Sequence, residues 1–187
     1  MMPALQKNKI YTYADYASWG DDVKCELIGG VVYMMAPGAT QTHQETSGEL
    51  YRQIANYLLD KPCKVFHPPF DVCLHADGDE DKTVVQPDLF VVCDRSKLDG
   101  KRCNGAPDMV IEILSPSSAN RDTLLKFNKY MQAGVREYWI VDPDDKIVRV
   151  CILKNGKLEI TDFLSPDTIP ISVLDGCKID MARVFAR

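Results

Sequence analysis

Apolar residues alternate with polar ones in some stretches of this chain and recur at spacings of three and four in others, which separates strands from helices. Thr12-Tyr13-Ala14-Asp15 places a hydroxyl and an acid three residues apart before an apolar-periodic stretch, and predicts a short capped helix ending near Trp19-Gly20. Cys25 to Ile28 and Val31 to Met35 flank Gly29-Gly30, a pair that tolerates the positive backbone angles of a tight turn, so a β-hairpin is expected. Leu50, Ile54, Tyr57 and Leu58 then fit one face of a long helix over about Thr42 to Leu59.

Strands are expected at Lys64 to Phe66, Phe70 to Leu74, Val84 to Val92 and Met109 to Leu114. Ser118 or Asn120 can cap a second long helix with Leu124, Leu125, Phe127, Tyr130 and Met131 on its apolar face and Gly134 at its end. The chain returns as a strand over Glu137 to Val141. If that strand runs parallel to Met109 to Leu114, the unit between them is a crossover. Lys146 to Leu153 and Lys157 to Ile160 follow, joined by Asn155-Gly156, a strong signal for a tight hairpin turn. The pattern predicts an α/β fold with a central mixed sheet flanked by helices, β-hairpins on the N-terminal side and a C-terminal third that is mostly β. It predicts one domain over 1–187, with a core of about 12–153 and a β extension of about 154–187.

Two acids break the apolar pattern. Glu112 lies inside Met109-Val110-Ile111-Glu112-Ile113-Leu114, and Asp88 follows Pro87 between Val84-Val85 and Leu89-Phe90-Val91-Val92. Burying an ionised carboxylate costs several kcal/mol unless a cation shares its site, so the two together point to a metal site. Mg²⁺, or Mn²⁺ in its place, takes a few carboxylates, backbone oxygens and waters, and Asp88, Glu112 and the carbonyl of Ile113 would suffice. Lys126 lies one turn after Asp122 on the second long helix; it could pair with Asp122 or turn toward Glu112.

Composition narrows the class. The 45% hydrophobic and 26% charged fractions are those of a globular protein, and no apolar stretch approaches the roughly 20 residues that cross a bilayer. With no signal-like hydrophobic segment near Met1, a cytoplasmic protein is expected. Seven cysteines without a C-x-x-C pair argue against a disulfide framework or a zinc site and for reduced core residues. The net charge of -5 provides no overall attraction to a polyanion, so any contact with nucleic acid must be local. Asp77 to Asp81 is expected to be a solvated acidic loop.

Several blocks resemble a known family: Glu26-Leu27-Ile28-Gly29-Gly30, Val85-Gln86-Pro87-Asp88-Leu89, Glu112-Ile113-Leu114-Ser115-Pro116-Ser117-Ser118, Asp122 to Lys126 with Tyr130, and Gly134 through Glu137-Tyr138-Trp139-Ile140-Val141-Asp142-Pro143. Over about 12–153 they look like the Uma-type endonuclease family of the PD-(D/E)XK nuclease superfamily, which implies a restriction-endonuclease-like core. The resemblance further implies Mg²⁺-dependent cleavage of DNA, with Asp88 and Glu112 as metal ligands and Glu26 as a further acid in the cleft. The superfamily's lysine follows its acid by two positions, where this chain has Leu114. Similar families move it to the next helix, where Lys126 stands, with Lys129 on the same helix.

Other roles stay open at this level. Glu112 could be satisfied by Arg121 or Arg136, and Glu26 could be an exposed position alternating with Cys25 and Leu27. His43 could reach a phosphate or a metal-bound water, although a lone histidine near a helix cap is more often structural. His67 and His75 lack ligand-type neighbours, and Tyr138-Trp139 fits core packing better than base stacking. Two rival functions remain: a catalytically degenerate nucleic-acid-binding or scaffold protein, and a small-molecule phosphohydrolase. A homodimer would suit cleavage of both strands of a duplex.

Overall fold

A computed structural model describes residues 5–20, 23–35, 38–115, 122–164 and 168–186, without the side chains of residues 122 and 123. The helices are α1 (Tyr13–Ser18), α2 (Gln41–Tyr57), α3 (Asp122–Ala133) and α4 (Met181–Val184). The strands up to the crossover helix are β1 (Cys25–Ile28), β2 (Val31–Met34), β3 (Lys64–Phe66), β4 (Asp71–Cys73), β5 (Val84–Val85), β6 (Leu89–Val92), β7 (Arg102–Asn104) and β8 (Met109–Ile113). After it come β9 (Glu137–Asp142), β10 (Ile147–Lys154), β11 (Lys157–Leu164), β12 (Thr168–Pro170) and β13 (Lys178–Asp180). Among the described residues no helix is long and apolar enough to cross a membrane.

Local chemistry accounts for the ends of these elements. Asp15 accepts the Thr12 N–H at 3.1 Å, closing the box that starts α1, and Thr40 Oγ1 accepts the His43 N–H at 3.2 Å at the start of α2. Gly134 ends α3 at φ 87°, and the Asn155-Gly156 turn has φ 52° and 73°, as its sequence predicts. At Gly30 (φ 78°) the left-handed backbone favours glycine, and a Cβ would crowd Ile10 Cγ2 and lie 3.1 Å from the Tyr11 carbonyl oxygen. The caps proposed at Ser118 and Asn120 lie outside the described residues.

A six-stranded mixed sheet in the order β11-β10-β9-β8-β6-β3 forms the centre, beside a five-stranded sheet β2-β1-β5-β4-β7 and the pair β12-β13. Strands β8 and β9 are parallel, so β8-α3-β9 is the crossover that the sequence predicted. Alternation sends Leu89, Val91, Met109, Ile111, Ile113, Trp139 and Val141 to one face, where they pack with Leu50 and Ile54 of α2 and with Ile169, Ile179 and Val184 from the C-terminal segment. Phe90, Val92, Val110, Tyr138 and Cys151 take the other face with Tyr130 of α3 and with Ile28 and Val72 of the second sheet. Tyr138 and Trp139 are both fully buried.

Three expectations change. The single strand over Val84 to Val92 is two strands in two sheets: Pro87 has no N–H to donate, and Gln86-Pro87-Asp88 carries the chain from one sheet to the other. Cysteine is not all reduced, because Cys63 and Cys93 form a disulfide. The register that sets Lys64 opposite Val92 brings these flanking residues together, while Cys25, Cys73, Cys103, Cys151 and Cys177 are free and buried. Finally, the acidic stretch is not solvated throughout. Asp81 is fully buried and accepts the N–H groups of His75 at 2.8 Å and Thr83 at 2.9 Å, which stabilises the return from a one-turn 3-10 helix, Gly78–Glu80.

Candidate active site

Pairing brings the two anomalous acids to one place. Leu89 faces Ile111 and Phe90 faces Val110 across the antiparallel β6-β8 pair, so Asp88, one residue before β6, comes level with Glu112. By alternation both belong to the face of Phe90 and Val110, which α3 covers. Asp88 Oδ2 accepts the Ile113 N–H at 2.8 Å, tying the carboxylate to the end of β8.

The crossover helix supplies a cation. Lys126 Nζ lies 2.9 Å from Glu26 Oε1 and 3.1 Å from Glu112 Oε1, and one turn later the Tyr130 hydroxyl donates to the same Glu112 oxygen at 2.7 Å. Of the two directions open to Lys126, it takes the one toward Glu112. Lys129 ends elsewhere, with its Nζ 3.5 Å from the position a Cβ would take at Gly29. Leu124, expected on the apolar face of the helix, is 63% exposed.

Glu26 is no surface position: it is buried in β1 and accepts the Gln86 N–H at 2.9 Å as well as the Lys126 ammonium. Gln86 in turn donates to Asp71 Oδ1 at 2.8 Å and to the Tyr16 hydroxyl at 3.2 Å, while that hydroxyl donates to Asp71. This chain of hydrogen bonds fixes the second sheet against the end of the first. His43, in the first turn of α2, brings Nε2 to 3.2 Å from Asp88 Oδ2, and its Nδ1 is buried without a hydrogen-bond partner among the described residues.

Arg121 lies outside the described residues, and Arg136 does not satisfy Glu112. It pairs with Asp108 at 2.6 Å, at the opposite end of β8 and roughly 13 Å along the strand from Glu112. Arg136 therefore stands apart from these acids. His67 contacts the Pro68 carbonyl and the edge of Tyr51, and His75 bonds through its backbone to Asp81.

Electrostatics follow from this crowding. Burial pushes the Glu112 carboxyl up; Lys126 pulls against it, while Asp88 and Glu26 push it higher. For Lys126, burial works against the ammonium, but Glu112 and Glu26 outweigh it and hold the group charged. The hydrogen bond to Asp88 raises the His43 pKa against the effect of burial, and the Glu112 charge and the Ile113 backbone act in the same direction. Glu26 and Glu112 thus share one ammonium, and Asp88, which faces His43, stands close enough to raise Glu112 further.

Among the described residues no three His, Cys, Asp or Glu side chains converge closely enough to form a metal site by themselves. A hard divalent ion does not need three, since one or two carboxylates with waters and a backbone oxygen complete its shell. The crowding of Asp88 and Glu26 that raises Glu112, and the level placement of Asp88 and Glu112, fit such an ion.

Two contributors stand in the blocks that resemble the family but carry no role from the sequence. The Tyr130 ring takes the apolar face its spacing predicts, which says nothing of its hydroxyl, and the partners of Gln86 come from three different elements.

The mixed central sheet with its parallel β8-α3-β9 crossover is a restriction-endonuclease-like fold. The family model for Uma2, described as "Putative restriction endonuclease", matches residues 12–182, and the chain belongs to that family. The match extends past the 12–153 over which the motifs resemble it. Among solved structures, the chain is similar to a protein from Anabaena variabilis described as a "putative nuclease belonging to DUF820". The TM-score is 0.73 at 21% identity, covering 93% of this chain and 97% of the other, a likeness of fold. No curated protein matches.

Proposed function

We propose that this protein is a divalent-metal-dependent endonuclease that hydrolyses phosphodiester bonds in DNA. Asp88, Glu112 and the Ile113 carbonyl hold the ion, Mg²⁺ or Mn²⁺; Lys126 is the catalytic lysine, and Glu26 holds it in place. The observation that carries this reading is the Lys126 ammonium, set 3.1 Å from an acid that stands level with Asp88.

Phosphodiester hydrolysis gathers negative charge on the phosphoryl oxygens in the transition state and needs an activated water. A divalent ion supplies Lewis acidity toward the phosphate and a lowered pKa for water. The protein supplies the rest. Lys126, kept charged by Glu26 and Glu112, directs an ammonium at developing charge or orients the attacking water. Tyr130 holds Glu112 in one rotamer, and the Asp88 bond to the Ile113 N–H keeps the two acids in register. Leu114 occupies the usual lysine position, but Lys126 restores the ammonium from the helix, which favours a working enzyme over a binding protein that has lost cleavage.

The test is cleavage of plasmid DNA by the purified protein with Mg²⁺ or Mn²⁺, and its loss on chelation. Asp88→Asn and Glu112→Gln should each abolish cleavage. Unchanged activity in both variants would refute the assignment.

A further inference from the structure

We infer that the cavity at the far end of β8 binds an organic phosphate of nucleotide size, as a site separate from the acid pair. The cavity has a volume of about 400 Å³, within the range of small-molecule sites, and Lys97, Arg136 and His75 line it with a single acid, Asp108. Arg136 and Asp108 stand at the end of β8 opposite to Glu112, so this opening is distinct from the one that Asp88 and Glu112 share.

The backbone holds the walls in place. One side is the segment from Gly105 to Asp108, pinned at both ends: the Gly105 N–H donates to the Cys73 carbonyl at 2.7 Å and the Asp108 N–H to the Val91 carbonyl at 2.9 Å. Another side is the last turn of α3 and Gly134, which ends it. Leu74, Ala106, Pro107 and Ala133 add apolar surface, and short side chains there leave the space open. Inorganic phosphate would fill only a corner of this volume, whereas a phosphate on a flat ring system uses both the polar and the apolar walls.

Charge selects the anion. The Lys97 stem runs past Gly105, and its ammonium donates to the Ala106 carbonyl at 2.7 Å, a neutral partner; it forms no ion pair among the described residues. Asp108 does not neutralise it, because one of its oxygens accepts from Arg136 at 2.6 Å and the other from the Cys93 N–H at 2.6 Å. Lys97 and Arg136 against Asp108 leave an excess of one positive charge here, in a chain that carries -5 overall. Both cations keep N–H groups beyond those already bonded. Their anchor points, Ala106 and Asp108, are two residues apart and so no more than about 7 Å along the chain, close enough for the oxygens of one phosphate to accept from both. An arginine fork beside a lysine point charge is the pairing that recognises a phosphate.

Two probes, deoxyadenosine monophosphate and a DNA oligonucleotide with a terminal phosphate, are titrated into the full chain with a chelator present, so that no divalent ion contributes, and followed by ligand-observed NMR. At least one should bind with a Kd below about 1 mM, and its counterpart without the phosphate about tenfold more weakly or worse. Binding of the mononucleotide alone makes a free nucleotide the source of the phosphate; binding of the oligonucleotide alone makes it a strand end. Lys97→Met keeps the stem without its charge and should weaken binding about tenfold or more, while Lys97→Arg should stay within about threefold of the wild type. Arg136→Gln repeats the comparison from the other cation should Lys97→Met melt early. Failure of both probes to bind, equal binding of the phosphate-free counterparts, or unchanged binding in Lys97→Met and Arg136→Gln overturns the inference. Inorganic phosphate binding as tightly as the mononucleotide overturns the recognition of an organic body.

Discussion

The Tyr130 hydroxyl donates to Glu112 Oε1 at 2.7 Å, one helical turn beyond Lys126, which reaches the same oxygen. A phenol and an ammonium from one helix face thus clamp a single carboxylate on the neighbouring strand. Tyr130→Phe keeps the ring packed against Tyr138, at 5.1 Å between centroids, and removes only the donor. A lost hydrogen bond to a buried charged group costs about 1.5–3 kcal/mol, so urea unfolding should show a decrease of that size with an unchanged slope. No change in midpoint would mean that Lys126 alone satisfies Glu112.

A second buried acid, remote from this site, gives the fold a dependence on pH. Glu137 is fully buried and accepts the Trp139 Nε1–H at 2.7 Å and the Val173 N–H at 2.9 Å. Burial nevertheless raises its pKa. For an acid whose folded pKa lies above its unfolded one, the contribution to stability is complete below the unfolded value and is lost as pH rises through the folded value. Glu137→Gln cannot titrate, so its cost relative to the wild type should be greatest near pH 4 and shrink toward pH 7. Denaturant melts of both proteins across that range measure it, and a difference that stays flat or grows with pH contradicts the assignment.

The disulfide joins edge strand β3 to β6 across a separation of 30 residues. Closing a loop of that length in the unfolded chain corresponds to about 3.5 kcal/mol in the chain-entropy treatment. Replacing Cys63 and Cys93 together by serine should lower stability by up to about that amount under oxidising conditions. The deficit should largely vanish when a reductant is added to both proteins. Equal stability under oxidising conditions would show that the two thiols do not pair in solution.

How much of the site could be read from the sequence depended on how far apart its partners lie. Asp88 and Glu112 were legible because each interrupts an apolar run, a conflict visible within a few residues. The family resemblance put the lysine on the crossover helix, at Lys126 or Lys129, and could not choose between them, since the choice rests on where β1 lies against α3. The meeting of Glu26 with Lys126 depends on the packing of two sheets, which no local pattern encodes. Cys63 and Cys93 carry no signal of pairing until the register of β3 on β6 is known. The strand break at Gln86-Pro87-Asp88 was written in the proline, yet the apolar residues on both sides outweighed it in a periodicity reading.

Glu26 distinguishes two ways of using an acid in this pocket. Its Oε1 accepts from Lys126 at 2.9 Å and from the Gln86 N–H at 2.9 Å, so the oxygen is committed to an ammonium and a backbone donor. An acid placed to bind the ion would be needed for affinity, whereas an acid placed to hold Lys126 is needed for the chemical step. Glu26→Gln retains an acceptor for Gln86 but halves the carboxylates facing Lys126, leaving the ammonium freer to follow Glu112 alone. The expected result is a Mn²⁺ affinity within about threefold of the wild type and a cleavage rate lower by about tenfold or more, as for the loss of a positioning contact. A large loss of Mn²⁺ affinity with the rate preserved at saturating metal would instead make Glu26 a ligand, with Lys126 anchored by Glu112.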